Sequence, residues 1–211
     1  MHTIKHLRRR ALIWATAGVA ATAVASALSL TAASAAPVTS AAGHDGAFTF
    51  ALVPSPGIKS CLPHAGGLVT IIPGSQNDTM QVSIFGMPRN AGFDLFVIQQ
   101  PLKPFGVSWY QTDVHADSQG NGFVTVRGVF DVETFSVSPA GSTTPFAPTH
   151  QYHLGLWFND PNVPFNLGCE PNKPGDKAIV TPFNGEQNAG IQALNTSEFP
   201  DAAGPLSHVH R

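Results

Sequence analysis

The chain has 211 residues, with 20 Gly, 18 Pro, 2 Cys and a formal net charge of −2 at pH 7. Gly and Pro together make 38 residues, about 18% where about 12% is average, and charged residues make 11% where about 25% is usual. Hydrophobic residues reach 43%, which is the composition of a folded chain rather than a disordered polyelectrolyte. The charge balance lacks the basic footprint of a nucleic-acid-binding protein.

The first 35 residues have the three-part layout of a secretory signal peptide. A basic start at 5–10 is followed by the uncharged stretch 11–30, and small residues at 33–35 fit cleavage after Ala35. We therefore expect a secreted, extracellular chain without a membrane span after cleavage. The uncharged stretch is also long enough for a retained anchor, and the paired arginines leave twin-arginine export open beside the general secretory route.

The rest of the chain is predicted to form one domain between two poorly ordered segments. Residues 36–46 are predicted to be a flexible leader, residues 47–199 a folded domain, and residues 200–211 a frayed tail. The domain holds about nine short apolar runs between turn signals, which predicts an all-β antiparallel sandwich of the immunoglobulin-like or jelly-roll-like kind. In chain order the runs are Ala47–Val53, Leu68–Ile72, Met80–Phe85, Phe93–Gln100, Val107–His115, Phe123–Phe130, Glu133–Val137, His150–Phe158 and Ala178–Phe183.

Three of these predictions concern how the runs are connected. The runs 107–115 and 123–130 are predicted to pair as a hairpin across the glycine-containing turn 117–122. The run 93–98 is apolar on both faces except for Asp94, which is typical of a central strand. Residues 138–149 are expected to be a loop, and residues 188–196 fit either a last strand or a short helix.

Cys61 and Cys169 are the two cysteines, and both lie in the part of the chain expected to be exported. An even count in an oxidising compartment predicts a disulfide. Two free buried thiols are the alternative. No sequence signature of a nucleophilic cysteine surrounds either residue.

The histidines give a weak metal signal. His150 and His153 are spaced by three, which places them on opposite faces of a strand. His208 and His210 fit one face of an extended segment. A zinc or copper site needs three or four converging ligands, and the sequence shows no such convergence. We therefore expect no cofactor, and these four histidines are the weak candidates for a metal.

No catalytic motif of a serine hydrolase, a zinc protease or a nucleotide-binding enzyme occurs in the chain. A glycosidase is the remaining enzymatic alternative, because it needs only two suitably placed carboxylates. The acidic residues available for that role are Asp94, Asp113, Asp131, Glu133 and Asp160. The sequence favours none of them, so no catalytic residue is assigned.

Trp109, Tyr110 and Trp157 are the candidate ligand-binding residues, since aromatic faces can stack on sugar rings. Trp109 and Tyr110 are adjacent, so one of them points outward from a regular strand. Filling the core is the alternative role for all three rings.

Two motifs resemble those of small secreted β-sandwich modules of bacteria. Residues 86–95 (GMPRNAGFDL) match the pattern G-[LM]-P-x-N-x-x-[FY]-x-L, and residues 117–122 (DSQGNG) resemble the D-x-x-G-N-G turn that follows it in those modules. In style the chain is similar to exported proteins of high-GC Gram-positive bacteria over about residues 80–185. The resemblance implies the sandwich and its export, and it carries no catalytic residues.

Together these observations predict a monomeric extracellular module that binds an unidentified extracellular or cell-envelope ligand or has a structural role. A carbohydrate-binding or metal-binding exported protein is the alternative, and a glycosidase is less favoured. Fold alone does not choose among these functions.

Overall fold

The computed structural model describes residues 46–130, 152–169, 176–182 and 188–209, and the backbone of residues 39–40, 135–137 and 144–146. The predicted signal peptide with its cleavage site at Ala35 lies outside these residues, and so do His150 and His210. Within the described part, no helix is long and apolar enough to cross a membrane.

The described chain is almost entirely β-structure, as the turn-rich sequence predicts. Its elements are β1 (Thr39–Ser40), β2 (Phe48–Pro54), β3 (Gly66–Ile72), β4 (Asp78–Phe85), β5 (Gly92–Ile98), β6 (Ser108–His115), β7 (Gly122–Gly128), β8 (Phe135–Val137), β9 (Thr144–Phe146), β10 (His153–Phe158), α1 (Asn162–Asn166), β11 (Thr181–Pro182), β12 (Asn188–Ala189), β13 (Gln192–Asn195) and a 3-10 helix (Pro205–His208).

The main strands form an antiparallel β-sandwich, which confirms the predicted fold. The hydrogen-bonded order is β6-β5-β10-β13-β2-β3-β4-β7, and β1 pairs with β2. We call β6-β5-β10-β13 the front layer and β2-β3-β4-β7 the back layer. The two layers are continuous where β13 pairs with the end of β2 at Val53 and Pro54. Separate two-stranded sheets are formed by β8 with β9 and by β11 with β12.

The core lies between the layers and follows from side-chain alternation. In β4 the buried Met80, Val82 and Ile84 alternate with partly exposed polar residues. In β5 the residues Phe93 and Leu95 also face this core. Complete burial of such a side chain contributes roughly 1.5–3 kcal/mol, so the alternation fixes which face of each strand turns inward.

A disulfide joins Cys61 to Cys169, with an S–S distance of 1.94 Å. This confirms the predicted bridge and connects the segment between β2 and β3 with the segment after α1. The two residues are 108 positions apart. Loop-closure entropy for a loop of that length contributes at most about 4–5 kcal/mol to the unfolding free energy.

The two motif turns lie against each other and carry the chain between layers. Residues 86–91 lead from β4 to β5, and residues 116–121 lead from β6 to β7. The Met87 N–H donates to the Gly120 carbonyl at 3.1 Å. Gly120 has a φ of +80°, and a Cβ there would lie 2.3 Å from the Met87 carbonyl oxygen, so the turn requires glycine. The motifs therefore have a structural role.

The predicted hairpin of residues 107–115 with 123–130 is wrong. The turn between them crosses from the front layer to the back layer, so that β6 pairs with β5 and β7 pairs with β4. The glycine-containing turn reverses the chain as expected. Its sequence does not specify whether the two strands stay in one layer, because that depends on neighbours elsewhere in the chain.

The predicted frayed tail is wrong for residues 200–209. Leu206 and Val209 are buried in the core, and the Leu206 N–H donates to the Tyr152 carbonyl at 3.3 Å. Pro and Gly prevent a regular element here, but a short 3-10 turn is enough to bury two apolar side chains.

Three other segments refine the sequence prediction. Two residues of the predicted leader, Thr39–Ser40, pair with β2. Of the two alternatives for residues 188–196, the structure has strands β12 and β13. The predicted loop 138–149 contains the short strand β9.

Candidate functional site

The candidate site lies on the outer face of the front layer, where a β-bulge brings polar side chains together. The register between β5 and β6 shifts between Leu95 and Phe96, so that Leu95 opposes Thr112 and Phe96 opposes Tyr110. Residues three apart on a regular strand lie on opposite faces. The bulge therefore places Tyr110 on the same face as Asp113, which is a common use of bulges at binding sites.

Asp94 and Asp113 oppose each other across β5 and β6. Asp94 is only 3% exposed, whereas Asp113 is exposed. Burial, a hydrogen bond with the Asp113 carboxyl and the negative charge of Asp113 together raise the pKa of Asp94 to about 6, and burial has the largest effect. The site therefore holds a buried carboxyl group in contact with an exposed one.

Tyr110 is the exposed aromatic residue of this face, with 52% of its surface accessible. Its hydroxyl donates to Asp113 Oδ1 at 2.8 Å, and its ring meets the Phe96 ring edge-on at 5.8 Å. Desolvation, the hydrogen bond to Asp113 and the negative charges of Asp113 and Asp94 raise the pKa of Tyr110 to about 12. The hydroxyl therefore stays protonated, and the ring is held in one orientation beside a carboxylate.

Trp157, one of the three candidate ligand-binding residues, is buried and is not available to a ligand in this structure. It is 3% exposed and packs edge-on against Phe96 at 5.5 Å and Phe105 at 4.9 Å. A Cβ on Gly155 would lie 2.4 Å from the indole ring, so glycine is needed beneath it. Trp157 supports the aromatic cluster on which the Tyr110 ring rests.

Trp109 points the opposite way from Tyr110. It packs against the core cluster, and its ring meets Tyr152 edge-on at 4.7 Å. The prediction that one of these adjacent rings faces outward is correct, and the outward ring is Tyr110.

The connection between β5 and β6 packs over this aromatic cluster. Phe105 from this segment covers Trp157, and the Gln192 amide donates to the Pro101 carbonyl at 3.1 Å. Gln192 in turn accepts a hydrogen bond from Asn195 at 3.0 Å. The rings beneath Tyr110 are therefore fixed by polar contacts from β13.

His153, a weak metal candidate, has both ring nitrogens engaged. It is fully buried, with Nε2 donating to the Asp201 carbonyl at 3.2 Å and Nδ1 accepting from the Thr196 hydroxyl at 3.0 Å. Burial lowers the pKa of His153, although its hydrogen bonds act in the opposite direction. This histidine is neutral and structural.

The structure does not bring the candidate histidines together among the residues that it describes. His208 is exposed and meets the Phe48 ring at 6.0 Å. In the described ranges, no group of three or more His, Cys, Asp and Glu side chains is placed to hold a metal ion.

The acidic turn at residues 117–122 is also structural. Asp117 Oδ1 accepts hydrogen bonds from the backbone N–H groups of Gln119 at 2.7 Å and Asn121 at 3.0 Å. These bonds lower the pKa of Asp117. Its carboxylate stabilises the turn that leads from β6 to β7.

The geometry favours binding over glycoside hydrolysis at Asp94 and Asp113. Their carboxyl groups are in hydrogen-bonding contact, whereas the two carboxyls of a retaining glycosidase are separated by about 5–5.5 Å and those of an inverting enzyme by more. An exposed aromatic ring beside an exposed carboxylate is instead suited to bind a hydroxylated ring: the apolar face stacks and the carboxylate accepts hydrogen bonds.

Asp94 and Asp113 are two of the five acids that the sequence offers for a glycosidase, and the sequence favours neither of them. The sequence feature that could have located the site is Asp94, because it is the single charged residue in an otherwise apolar central strand. The sequence did not place Asp113 beside Asp94, because the predicted hairpin paired the strand of Asp113 with β7 instead of β5. No protein-family model and no curated protein matches this chain.

Proposed function

We propose that the chain is an exported binding module that recognises carbohydrate of the extracellular space or the cell envelope through Tyr110 and Asp113. The observation that carries the proposal is the orientation of Tyr110: its ring is half exposed while its hydroxyl and its edge are both held by protein contacts. A ring fixed in advance loses little conformational freedom when a ligand binds.

Each part of the site has a role in this proposal. The exposed face of Tyr110 stacks on the apolar face of a sugar ring. Asp113 accepts hydrogen bonds from sugar hydroxyl groups, and hydrogen bonds to a charged group are stronger than neutral ones. Phe96 supports the Tyr110 ring from below.

Export of the chain belongs to the proposal as well. It is supported by the basic, apolar and small-residue segments of residues 1–35 and by the disulfide between Cys61 and Cys169.

The test is binding of the mature, disulfide-bonded protein to a panel of soluble and insoluble glycans. We expect Tyr110→Ala to weaken binding by about tenfold or more, corresponding to about 1.4 kcal/mol of lost stacking. Phe123→Ala is the matched control, because Phe123 is 63% exposed but lies on the back layer. Absence of binding to every glycan, or equal losses in the two variants, would contradict the proposal.

A further inference from the structure

Two buried acceptor oxygens lie on the same end of the outer face of the front layer. Among the described residues, Asp94 Oδ2 and Asn159 Oδ1 are the buried side-chain polar atoms without a hydrogen-bond partner. Buried polar atoms in native proteins are almost always partnered. Two such atoms on one face point to a ligand that both contact.

The strand register shows that these side chains are neighbours. Asn159 continues β10, and its N–H donates to the Gly92 carbonyl at 3.0 Å. Its amide group covers Gly92, since a Cβ built on that glycine would lie 3.2 Å from Asn159 Cγ and Oδ1. Gly92 and Asp94 are two residues apart on one face of β5, a spacing of about 6.6 Å. The Asn159 amide and the Asp94 carboxyl can therefore reach a common point.

The third oxygen donor comes from β6. Asp113 opposes Asp94, and the two carboxyl groups are in hydrogen-bonding contact. Asp113 is exposed, so its carboxylate is accessible to an ion that also contacts Asp94. The three strands thus supply two carboxylates and one amide oxygen.

We propose that Asp94, Asp113 and Asn159 form a calcium-binding site on the outer face of the front layer. The ligand is small because the two unpartnered oxygens are buried, and two carboxylates match a divalent charge. Carboxylate and Asn oxygens are characteristic ligands of Ca²⁺, which accepts irregular geometry, whereas Mg²⁺ demands a near-octahedral arrangement. Waters complete the coordination shell.

The available donors disfavour zinc and copper, which prefer nitrogen and sulfur ligands. His115 faces Gly92 from β6, but in the described part of the chain it does not converge with the two carboxylates into a three-ligand group. The ion is held by only three side-chain oxygens, so we expect a Kd of about 10⁻⁴–10⁻³ M, the range of extracellular calcium modules.

The experiment uses the mature protein with its disulfide intact, treated with EDTA and dialysed. Tb³⁺ serves as a luminescent calcium substitute excited through the nearby aromatic rings, and Ca²⁺ displaces it. In a parallel thermal scan, Ca²⁺ at ten times its Kd should raise the Tm by roughly 3–5 °C. Mg²⁺ at the same concentration should have a much smaller effect.

Substitutions at the three proposed ligands test where the calcium ion binds. Asp94→Asn and Asp113→Asn should each weaken Ca²⁺ binding by about tenfold or more, since affinity follows the charge of the ligands. Asn159→Ala should weaken it less. Asp160→Asn is the matched control. Asp160 follows Asn159 in the sequence, but its side chain is exposed and accepts hydrogen bonds from Asn162. It should bind Ca²⁺ like the unsubstituted protein.

Several results would overturn the calcium site: no Tb³⁺ signal and no thermal shift, equal affinity for Mg²⁺, or unchanged binding in both aspartate variants. Asp113 is exposed, so its variant keeps the test valid even if Asp94→Asn folds poorly. The titration contains no carbohydrate, and the glycan panel can be run in EDTA. The calcium site and the carbohydrate site can therefore fail separately.

Discussion

His153 and Asp94 are both buried polar residues on the outer face of the front layer, but their surroundings differ. His153 has a partner for each ring nitrogen, from Thr196 and from the Asp201 carbonyl. Asp94 contacts a second acid, and its Oδ2 has no partner among the described residues. A fully partnered buried group stabilises one structure, whereas an unpartnered buried carboxyl lowers stability.

The difference separates a structural cluster from a candidate site on the same face. Natural proteins keep locally unfavourable arrangements mainly where function uses them. The His153 cluster holds the C-terminal segment against β10. The Asp94 cluster offers acceptor oxygens beside an exposed aromatic ring. Substitutions that remove parts of each cluster test this contrast.

Thr196→Val should produce the largest loss of stability. The Thr196 hydroxyl donates to His153 Nδ1 at 3.0 Å and accepts from the Leu154 N–H at 3.1 Å. Valine leaves both buried groups without this partner, and each unsatisfied group costs about 1–3 kcal/mol. We expect a loss of about 2–4 kcal/mol in the unfolding free energy, measured by urea denaturation at pH 7.5.

Thr125→Val is the control for that loss, because Thr125 is exposed on the back layer. It should change the unfolding free energy by less than about 0.5 kcal/mol. Equal effects of the two substitutions would mean that the His153 cluster does not stabilise the fold.

Lowering the pH should destabilise the protein, because His153 is buried in its neutral form. Burial lowers the pKa of this histidine below its ordinary 6.5, so the unfolded chain takes up the proton first as the pH falls. Its contribution to stability is therefore complete above pH 6.5 and is lost as the pH falls toward the lowered pKa. His153→Gln keeps a donor and an acceptor but does not titrate.

The measurement is the unfolding free energy of both proteins at several pH values between 7.5 and 5. The difference between them should shrink as the pH falls, because only the unsubstituted protein loses the His153 contribution. A difference that stays constant would show that His153 is not buried in its neutral form.

Asp94→Asn should change the unfolding free energy less than Thr196→Val does, and it should raise that free energy rather than lower it. The amide has nearly the same shape, removes a buried acid and can donate to Asp113. At pH 7.5 in EDTA we expect the unfolding free energy to rise by up to about 1 kcal/mol. A loss as large as that of Thr196→Val would show that Asp94 is a structural residue like His153.

Tyr110→Phe should have the smallest effect on stability. It removes one exposed hydrogen bond to Asp113, so the unfolding free energy should change by less than about 0.5 kcal/mol. The ring remains, so glycan binding should weaken less than in Tyr110→Ala. A glycan affinity as low as that of Tyr110→Ala would assign the binding energy to the hydroxyl rather than to the ring.

The sequence predicted the layers of this fold better than their connections. The alternation along Met80–Ile84 and the two faces of Phe93–Ile98, apolar except for Asp94, depend on local pattern, and both strands form as expected. The pairing of β6 depends on its distant neighbours. A turn with the expected glycines carries the chain into the other layer, which no local signal specifies.

The same distinction applies to the site. The outward direction of one ring of Trp109 and Tyr110 follows from alternation, but the bulge that selects Tyr110 comes from the register with β5. The sequence around Trp157 does not distinguish it from an exposed aromatic residue. In the structure, Phe105 from the connection between β5 and β6 covers its ring. Residues far apart in sequence decide exposure, and a single sequence does not contain that information.

Hydrogen exchange measured by mass spectrometry, with and without Ca²⁺, tests most directly which cluster is the binding site. Binding should protect the backbone amides of β5, β6 and the end of β10, around Asp94, Asp113 and Asn159. Exchange at β13 and around Asp201 should remain as it is without the ion. Protection around His153 and Asp201, or on β3 and β7 of the back layer, would contradict the assignment of the site to the Asp94 cluster.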